Sequence, residues 1–302
     1  MKKKLLCPNE KLFSHNFRKK LKRKFITEFT NLSQTVFDKI VNNYEIVLLR
    51  HSLDINYKKN TKIKFIISPT TGENHIDKQF VKNKKIKIIT LKGENNFLKK
   101  VNSTAEHTIY LILYLLRNNY STDKKYFFNK KNVEITEIND KIIGIIGYGR
   151  LGRKVNKILK AFGANTLLYD IKNIKNKTNL NRLIKKSDII TLHIPLNEKN
   201  KNFFDNRKLL KLKNNSILIN TSRGEIVDQK ELLKIIKIKN IKYGTDVLHD
   251  ENNLKSKKTN IKLLKLMKKT KNVYITPHIG GLSKESIKLT DEFIIKKFMK
   301  FV

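Results

Sequence analysis

The chain has 302 residues, enough for two domains at the usual ~100–200 residues each. Hydrophobic residues make up 39 %, which excludes a wholly disordered chain. The formal charge of +40 points first toward nucleic acid, but only nine of the 66 basic residues are arginine and the lysines are spread along the whole chain among abundant Asn and Ile, which reads as compositional drift rather than a binding patch.

At the amino end, Met1-Lys2-Lys3-Lys4 resembles the start of a signal peptide. The apolar stretch that follows, Leu5-Leu6-Cys7-Pro8, is too short for the ~7–15 residues a signal core needs. No window reaches the ~18 uncharged apolar residues of a membrane span, so no membrane partner is expected. Cys7 is the single cysteine, which excludes an intramolecular disulfide and suits a reducing, cytoplasmic compartment. From about Thr27 to Asn43, Phe29, Leu32, Val36 and Ile40 fall on one side and predict a helix. Glu45–Arg50, Ile63–Ser68 and Lys87–Leu91 read as strands, and Ser103 to about Arg117 as a long helix.

Beyond residue 140 the alternation is clearer. Ile142–Ile146, Thr166–Tyr169, Asp188–Ile194, Ser216–Ile219, Ile241–Thr245 and Val273–Thr276 are nearly continuous in apolar or β-branched residues. Strands buried on both faces of a parallel sheet have that composition. After the first of them, Leu151, Val155, Ile158 and Phe162 recur at helical spacing, with Gly163 as a stop. Lys255–Lys271 reads as solvated helix and loop, and a last amphipathic helix follows Gly281 nearly to Val302. The pattern predicts a doubly wound α/β domain preceded by a looser α/β unit.

Glycine (11) and proline (4) are scarce, so the positions that keep them mark the loops where chemistry is to be sought. Gly147-Tyr148-Gly149-Arg150-Leu151-Gly152 follows a strand and opens a helix, the context in which GxGxxG binds a dinucleotide. The first glycine makes the turn, the second lets backbone approach the pyrophosphate, and the third lets helix pack on strand. Asp170 lies 21 residues beyond Gly149, close to the spacing of the acid that accepts from the ribose hydroxyls and favours NAD over NADP. Lys172 nearby leaves NADP open, and Arg150 is placed to neutralise pyrophosphate charge.

Further short segments complete a recognisable set. They are Leu192-His193-Ile194-Pro195-Leu196, Ile219-Asn220-Thr221-Ser222-Arg223-Gly224-Glu225-Ile226-Val227-Asp228, Thr245-Asp246-Val247-Leu248 and Thr276-Pro277-His278-Ile279-Gly280-Gly281, with Pro69-Thr70-Thr71-Gly72 and Thr104-Ala105-Glu106-His107-Thr108 upstream. In this order they resemble the D-isomer-specific 2-hydroxyacid dehydrogenases, and within them the phosphoglycerate dehydrogenase-like members, over roughly residues 45 to 290. The resemblance implies a Rossmann NAD-binding domain (106–279) inserted in a smaller flavodoxin-like α/β substrate domain (1–105 and 280–302), with the site in the cleft.

It also implies roles. Arg223 clamps the carboxylate of a 2-keto acid and polarises its carbonyl, which suits a planar bidentate fork. His278 is the general acid/base and Glu251 the carboxylate that keeps it protonated. The family has Phe and Pro where this chain has Leu248 and Asn252, and Asp250 is an alternative to Glu251. Asp246 binds the nicotinamide carboxamide, Thr221 and Pro195 line the cofactor cleft, and the backbone at Thr71 and Gly72 holds the substrate carboxylate. Arg50 matches an arginine that reaches a substrate phosphate, although His51 interrupts that signature. His193 and His107 are expected to anchor backbone. The sequence shows no metal-ligand spacing.

The expected function is therefore hydride transfer between NAD and C2 of a small D-2-hydroxy acid or 2-keto acid, D-3-phosphoglycerate/3-phosphohydroxypyruvate among the candidates. Hydroxypyruvate or glyoxylate reduction and a non-catalytic NAD-sensing scaffold are the alternatives. A homodimer without a nucleic-acid partner is implied, and the short tail carries no regulatory domain.

Overall fold

Two parallel sheets organise the protein. The computed structural model describes residues 2–50, 53–55, 61–117, 135–251 and 258–302. His51, Asn252 and the start of the Lys255–Lys271 stretch lie outside them. The first sheet holds β1 (Lys4–Cys7), β2 (Ile26–Phe29), β3 (Ile46–Leu48), β4 (Phe65–Ser68) and β5 (Lys87–Thr90) in the order β2-β1-β3-β4-β5. All its pairings are parallel, and the order is that of flavodoxin-type domains. The second holds β6 (Ile142–Ile146), β7 (Asn165–Tyr169), β8 (Ile189–Leu192), β9 (Ile217–Asn220), β10 (Lys242–Thr245) and β11 (Val273–Ile275) in the order β11-β10-β9-β8-β6-β7, again parallel.

Contacts divide the chain into one unit of residues 1–101 and 282–302 and a second of residues 102–281. A boundary at 105/106 would have cut the helix Ser103–Arg117. That helix lies wholly in the second unit, where it packs on β9, β10 and the helix Arg150–Ala161.

The second sheet meets the expectation of strands without a solvent face. Leu192, Leu218 and Ile146 bury toward the helices Leu180–Lys186 and Gln229–Lys239. Ile143, Ile145, Ile189 and Ile219 bury toward Ser103–Arg117 and Arg150–Ala161. Burial of each such side chain contributes about 1.5–3 kcal/mol. The strand order reverses at β6, which has β7 on one side and β8 on the other, and a ligand crevice opens outside the carboxyl ends at such a point. Beyond β7, a single parallel bridge between Leu168 and Lys177 stands where a dinucleotide domain has an outer strand.

In the first unit the amino-terminal reading needs correction. The residues Ile26–Phe29 form β2, paired in parallel with β1, so the predicted helix shrinks to Gln34–Ile40. Its buried face is Phe37, continued at Val41, while Val36 is exposed. The stretch Leu5-Leu6-Cys7 is the inner part of β1, each residue fully buried. In the helix Arg150–Ala161 the buried face is Gly152, Val155, Asn156 and Leu159, with Phe162 exposed, a rotation from the predicted stripe. The last helix, Lys284–Phe298, returns to the first unit, with Ile294 and Phe298 buried against Leu5, Ile67 and Ile89. Among the described residues no helix is long and apolar enough to cross a membrane.

Candidate active site

The nucleotide loop is built from three glycines with distinct constraints. Gly147, at φ +94°, takes the left-handed turn out of β6; a Cβ there would lie 2.5 Å from the His193 carbonyl oxygen. At Gly152 a Cβ would lie 2.1 Å from the Gly147 carbonyl oxygen, so the helix can seat on the loop only with glycine. At Gly149, the residue before the helix, a Cβ would meet no protein atom within 4 Å, and no side chain caps the helix there. An unobstructed approach over uncapped N–H groups at the positive end of a helix suits a pyrophosphate. Arg150 opens that helix; burial lowers its pKa from the ordinary arginine value. Leu151 packs beneath it on the core.

Asp170 ends the next strand and faces the loop. Its Oδ2 accepts from the Tyr148 N–H at 2.7 Å and its Oδ1 from the Lys172 N–H at 2.9 Å. A carboxylate has about four acceptor positions, so both oxygens retain capacity for ribose hydroxyls. The loop, the helix end and this carboxylate together fit an NAD molecule.

At the carboxyl ends of β9, β10 and β11 the structure assembles the charged residues. Arg223 follows β9, and its Nη1 donates to the Ser222 carbonyl at 2.6 Å. Burial lowers the Arg223 pKa, while the nearby carboxylates of Glu251 and Glu225 support its charge. Its fork carries five N–H donors, enough for that carbonyl and a substrate carboxylate. Glu251 Oε1 is hydrogen-bonded to His278 Nδ1, and its Oε2 accepts from the Leu248 N–H at 3.2 Å. Of the two neighbouring acids, Glu251 is the one paired with the imidazole. His278 itself sits at φ +54°, a costly conformation for a residue with a side chain.

The loop carrying His278 is held from below by Asp246. Its Oδ1 accepts from Thr276 Oγ1 at 2.6 Å and from the Ile279 N–H at 2.9 Å; its Oδ2 accepts from the Gly280 N–H at 2.7 Å. His107 Nε2 lies 2.8 Å from Thr276 Oγ1 and 3.4 Å from Asp246. Burial opposes the Asp246 charge, but His107, Thr276 and the two backbone donors together hold its pKa below the usual carboxylate range. Among the described residues Asp246 thus fastens the His278 loop, a task the sequence did not signal. Ser103 Oγ adds a bond to the Gly280 carbonyl at 2.7 Å.

The remaining expected residues divide. Thr221, buried, has its hydroxyl 2.9 Å from that of Thr108, and Pro195, exposed, accepts from Asn200 Nδ2 at 2.9 Å. His193 and His107 anchor hydroxyl side chains rather than backbone: His193 Nε2 lies 3.1 Å from Thr191 Oγ1. Burial pushes the His193 ring down to about 3, so it is neutral at physiological pH. In the first unit Thr71 and Gly72 follow β4, in a loop fixed by Thr70 Oγ1, which donates to the Gly72 carbonyl at 2.9 Å.

Arg50 is not turned outward. It is 4 % exposed, with Nη2 on Asp291 Oδ1 at 2.8 Å and on Thr290 Oγ1 at 3.1 Å, Nη1 on the Pro69 carbonyl and Nε on the Leu12 carbonyl. The expectation that it reaches a substrate phosphate is replaced by a packing role, because its donors are satisfied within the unit. Among the described residues no group of three His, Cys, Asp or Glu is placed to hold a metal ion.

Residues 109–280 match the family model described as D-isomer specific 2-hydroxyacid dehydrogenase, NAD binding domain. The chain belongs to this family. Its second unit is accordingly an NAD-binding domain, and the chain is an NAD-dependent oxidoreductase of the 2-hydroxyacid dehydrogenase type. The erythronate-4-phosphate dehydrogenase of Wigglesworthia glossinidia brevipalpis is 33 % identical over 294 residues, covering 93 % of this chain and 68 % of that protein. A D-specific alpha-keto acid dehydrogenase of Enterococcus faecium is 30 % identical over 256 residues, covering 80 % of this chain and 77 % of that protein. The crystal structure of the D-lactate dehydrogenase of Aquifex aeolicus, complexed with NAD and lactic acid, superposes with a TM-score of 0.80 at 26 % identity, covering 98 % of this chain and 95 % of that one.

Proposed function

We propose that this dehydrogenase interconverts a small D-2-hydroxy acid and its 2-keto acid, with Arg223, Glu251 and His278 as the residues that carry the chemistry. The single observation that supports the roles is the Glu251–His278 hydrogen bond beside the Arg223 guanidinium. In the reducing direction Arg223 holds the substrate carboxylate and polarises the adjacent carbonyl. NADH, when bound, supplies the hydride that adds to C2. His278, its Nδ1 committed to Glu251, gives the proton to the carbonyl oxygen from Nε2, and the negative Glu251 stabilises the imidazolium before transfer. Gly147, Gly149, Gly152, Arg150 and Asp170 hold the cofactor, with Thr221, Pro195 and Asp246 lining its cleft.

The packing of Arg50 removes the one arginine expected to contact a phosphate. The substrate panel therefore pairs hydroxypyruvate with 3-phosphohydroxypyruvate and adds glyoxylate and pyruvate, followed by NADH oxidation. Turnover of at least one keto acid is expected; NADH binding without turnover of any would leave the non-catalytic reading.

We also infer a cytoplasmic homodimer. Burial pushes the single thiol, Cys7, up to about 12, as befits an unreactive core residue in a reducing compartment. On the helix Ser103–Arg117 Tyr110 is 43 % exposed and forms an aromatic face with Tyr114 and Tyr274, a surface suited to a second copy. Sedimentation of wild type against Tyr110→Glu checks it.

A further inference from the structure

We propose that Glu225, assisted by Gln229, is a positioning residue that fixes the acid–base pair by holding the turn Leu248–Glu251 against the segment bearing Arg223. The proposal rests on the reading of Glu251 and His278 as that pair.

Three consecutive N–H groups of the turn are taken by side-chain oxygens. The Leu248 N–H donates to Glu251 Oε2 at 3.2 Å, the His249 N–H to Gln229 Oε1 at 3.3 Å, and the Asp250 N–H to Glu225 Oε1 at 2.9 Å. Asp250 is at φ +52°, left-handed although it is not glycine. Such a conformation persists only where the surroundings over-determine it, and the Glu225 bond is made to that residue's own N–H. The two segments also touch: a Cβ at Gly224 would lie 2.0 Å from the Leu248 carbonyl carbon and 2.2 Å from the His249 nitrogen.

The platform beneath is stiff. Gly224–Ile226 is a 3₁₀ turn, and Gln229, 4 % exposed, opens the helix Gln229–Lys239, which is capped by Asp228 accepting from the Lys230 and Glu231 N–H groups. Arg223 immediately precedes this turn. The carboxylate clamp and the partner of the imidazole are therefore referenced to one short piece of backbone. Glu225 and Glu251 both act on the Arg223 charge, so the cation also screens the two carboxylates from each other.

The test is steady-state kinetics on the full chain with its best 2-keto acid from the panel, together with NADH affinity by fluorescence and melting temperature. Glu225→Ala is expected to lower kcat by roughly 10-fold or more, as a small misplacement of a catalytic group does. The keto-acid KM and the NADH Kd should stay within about two-fold, because Arg223 and the glycine loop are retained. Glu225→Gln keeps an oxygen acceptor for the Asp250 N–H and should restore kcat to within about two-fold of wild type. If Glu225→Ala does not fold, Gln229→Ala, which removes the neighbouring bond, should show the same loss confined to kcat. Wild-type kcat in Glu225→Ala would overturn the proposal. So would Glu225→Gln as slow as Glu225→Ala, since charge and not the acceptor would then matter, or a loss carried by KM. His278→Ala separates the two levels. Full turnover in that variant would overturn the acid–base reading and this proposal with it, whereas an inactive His278→Ala beside a wild-type Glu225→Ala would overturn only this proposal.

Discussion

His278 Nδ1 is hydrogen-bonded to Glu251 Oε1 across 27 residues of sequence, and the bond joins the loop after β11 to the turn after β10. The bond leaves Nε2 as the atom that transfers a proton, and it aims a negative charge at the ring that must be positive before transfer. Replacing Glu251 by Gln keeps the shape and removes the charge. We expect kcat to fall by about 10²-fold, the lower end of what a positioned proton-transfer system contributes. NADH affinity should be unchanged, and parallel titration of cofactor fluorescence checks both halves.

The glycines of the nucleotide loop should separate into two kinds. Gly152→Ala forces a Cβ to within 2.1 Å of the Gly147 carbonyl oxygen, so both thermal stability and NADH binding should drop. Gly149→Ala meets no protein atom within 4 Å and leaves the melting temperature close to wild type. Its methyl group occupies the approach of the pyrophosphate, so NADH should still bind at least about 10-fold more weakly, the loss of one charge-assisted hydrogen bond. Differential scanning fluorimetry with and without NADH distinguishes the two.

The Arg50–Asp291 pair predicts a stability effect without a substrate effect. Both side chains are nearly or wholly buried, and burial pulls the Arg50 pKa down and the Asp291 pKa up. Arg50→Met strands the Asp291 carboxylate and should cost about 3–5 kcal/mol in urea unfolding; Arg50→Met/Asp291→Leu should recover most of that. In Arg50→Lys the ratio of kcat/KM for 3-phosphohydroxypyruvate to that for hydroxypyruvate should match wild type. A loss confined to the phosphorylated substrate would return Arg50 to the binding site.

Asp246 predicts a pH dependence. Its folded-state pKa lies below the ordinary carboxylate value of 3.8, so its contribution to stability is complete above that value and is lost as pH falls through the lowered one. Asp246→Asn should therefore be less stable than wild type at pH 7, with the gap narrowing below pH 4. Because the same carboxylate holds the Ile279 and Gly280 N–H groups, kcat of the variant should fall with it. A stability gap independent of pH would show that the charge is not what fastens the loop.

The sequence by itself determined the second unit. Strands buried on both faces need unbroken runs of Ile, Leu and Val, a local property, and all six runs became β6 to β11. The glycine loop and the spacing to Asp170 were legible for the same reason, since turn, strand and helix succeed one another within about thirty residues. The first unit was less legible. Phe29, Leu32, Val36 and Ile40 keep helical spacing, yet Ile26–Phe29 is a strand because β1, twenty residues earlier, offers it a parallel partner, and no local pattern records that pairing.

Tertiary structure alone decided where the long polar side chains point. Arg50 faces inward because Asp291, 241 residues away, meets it there. Asp246 grips the His278 loop, and Glu225 grips the turn of Glu251, through contacts between segments that only the parallel sheet brings side by side. Residue type states which hydrogen bonds a side chain can make. Which of them it makes depends on neighbours distant in sequence, and in this protein those neighbours hold the acid–base pair in place.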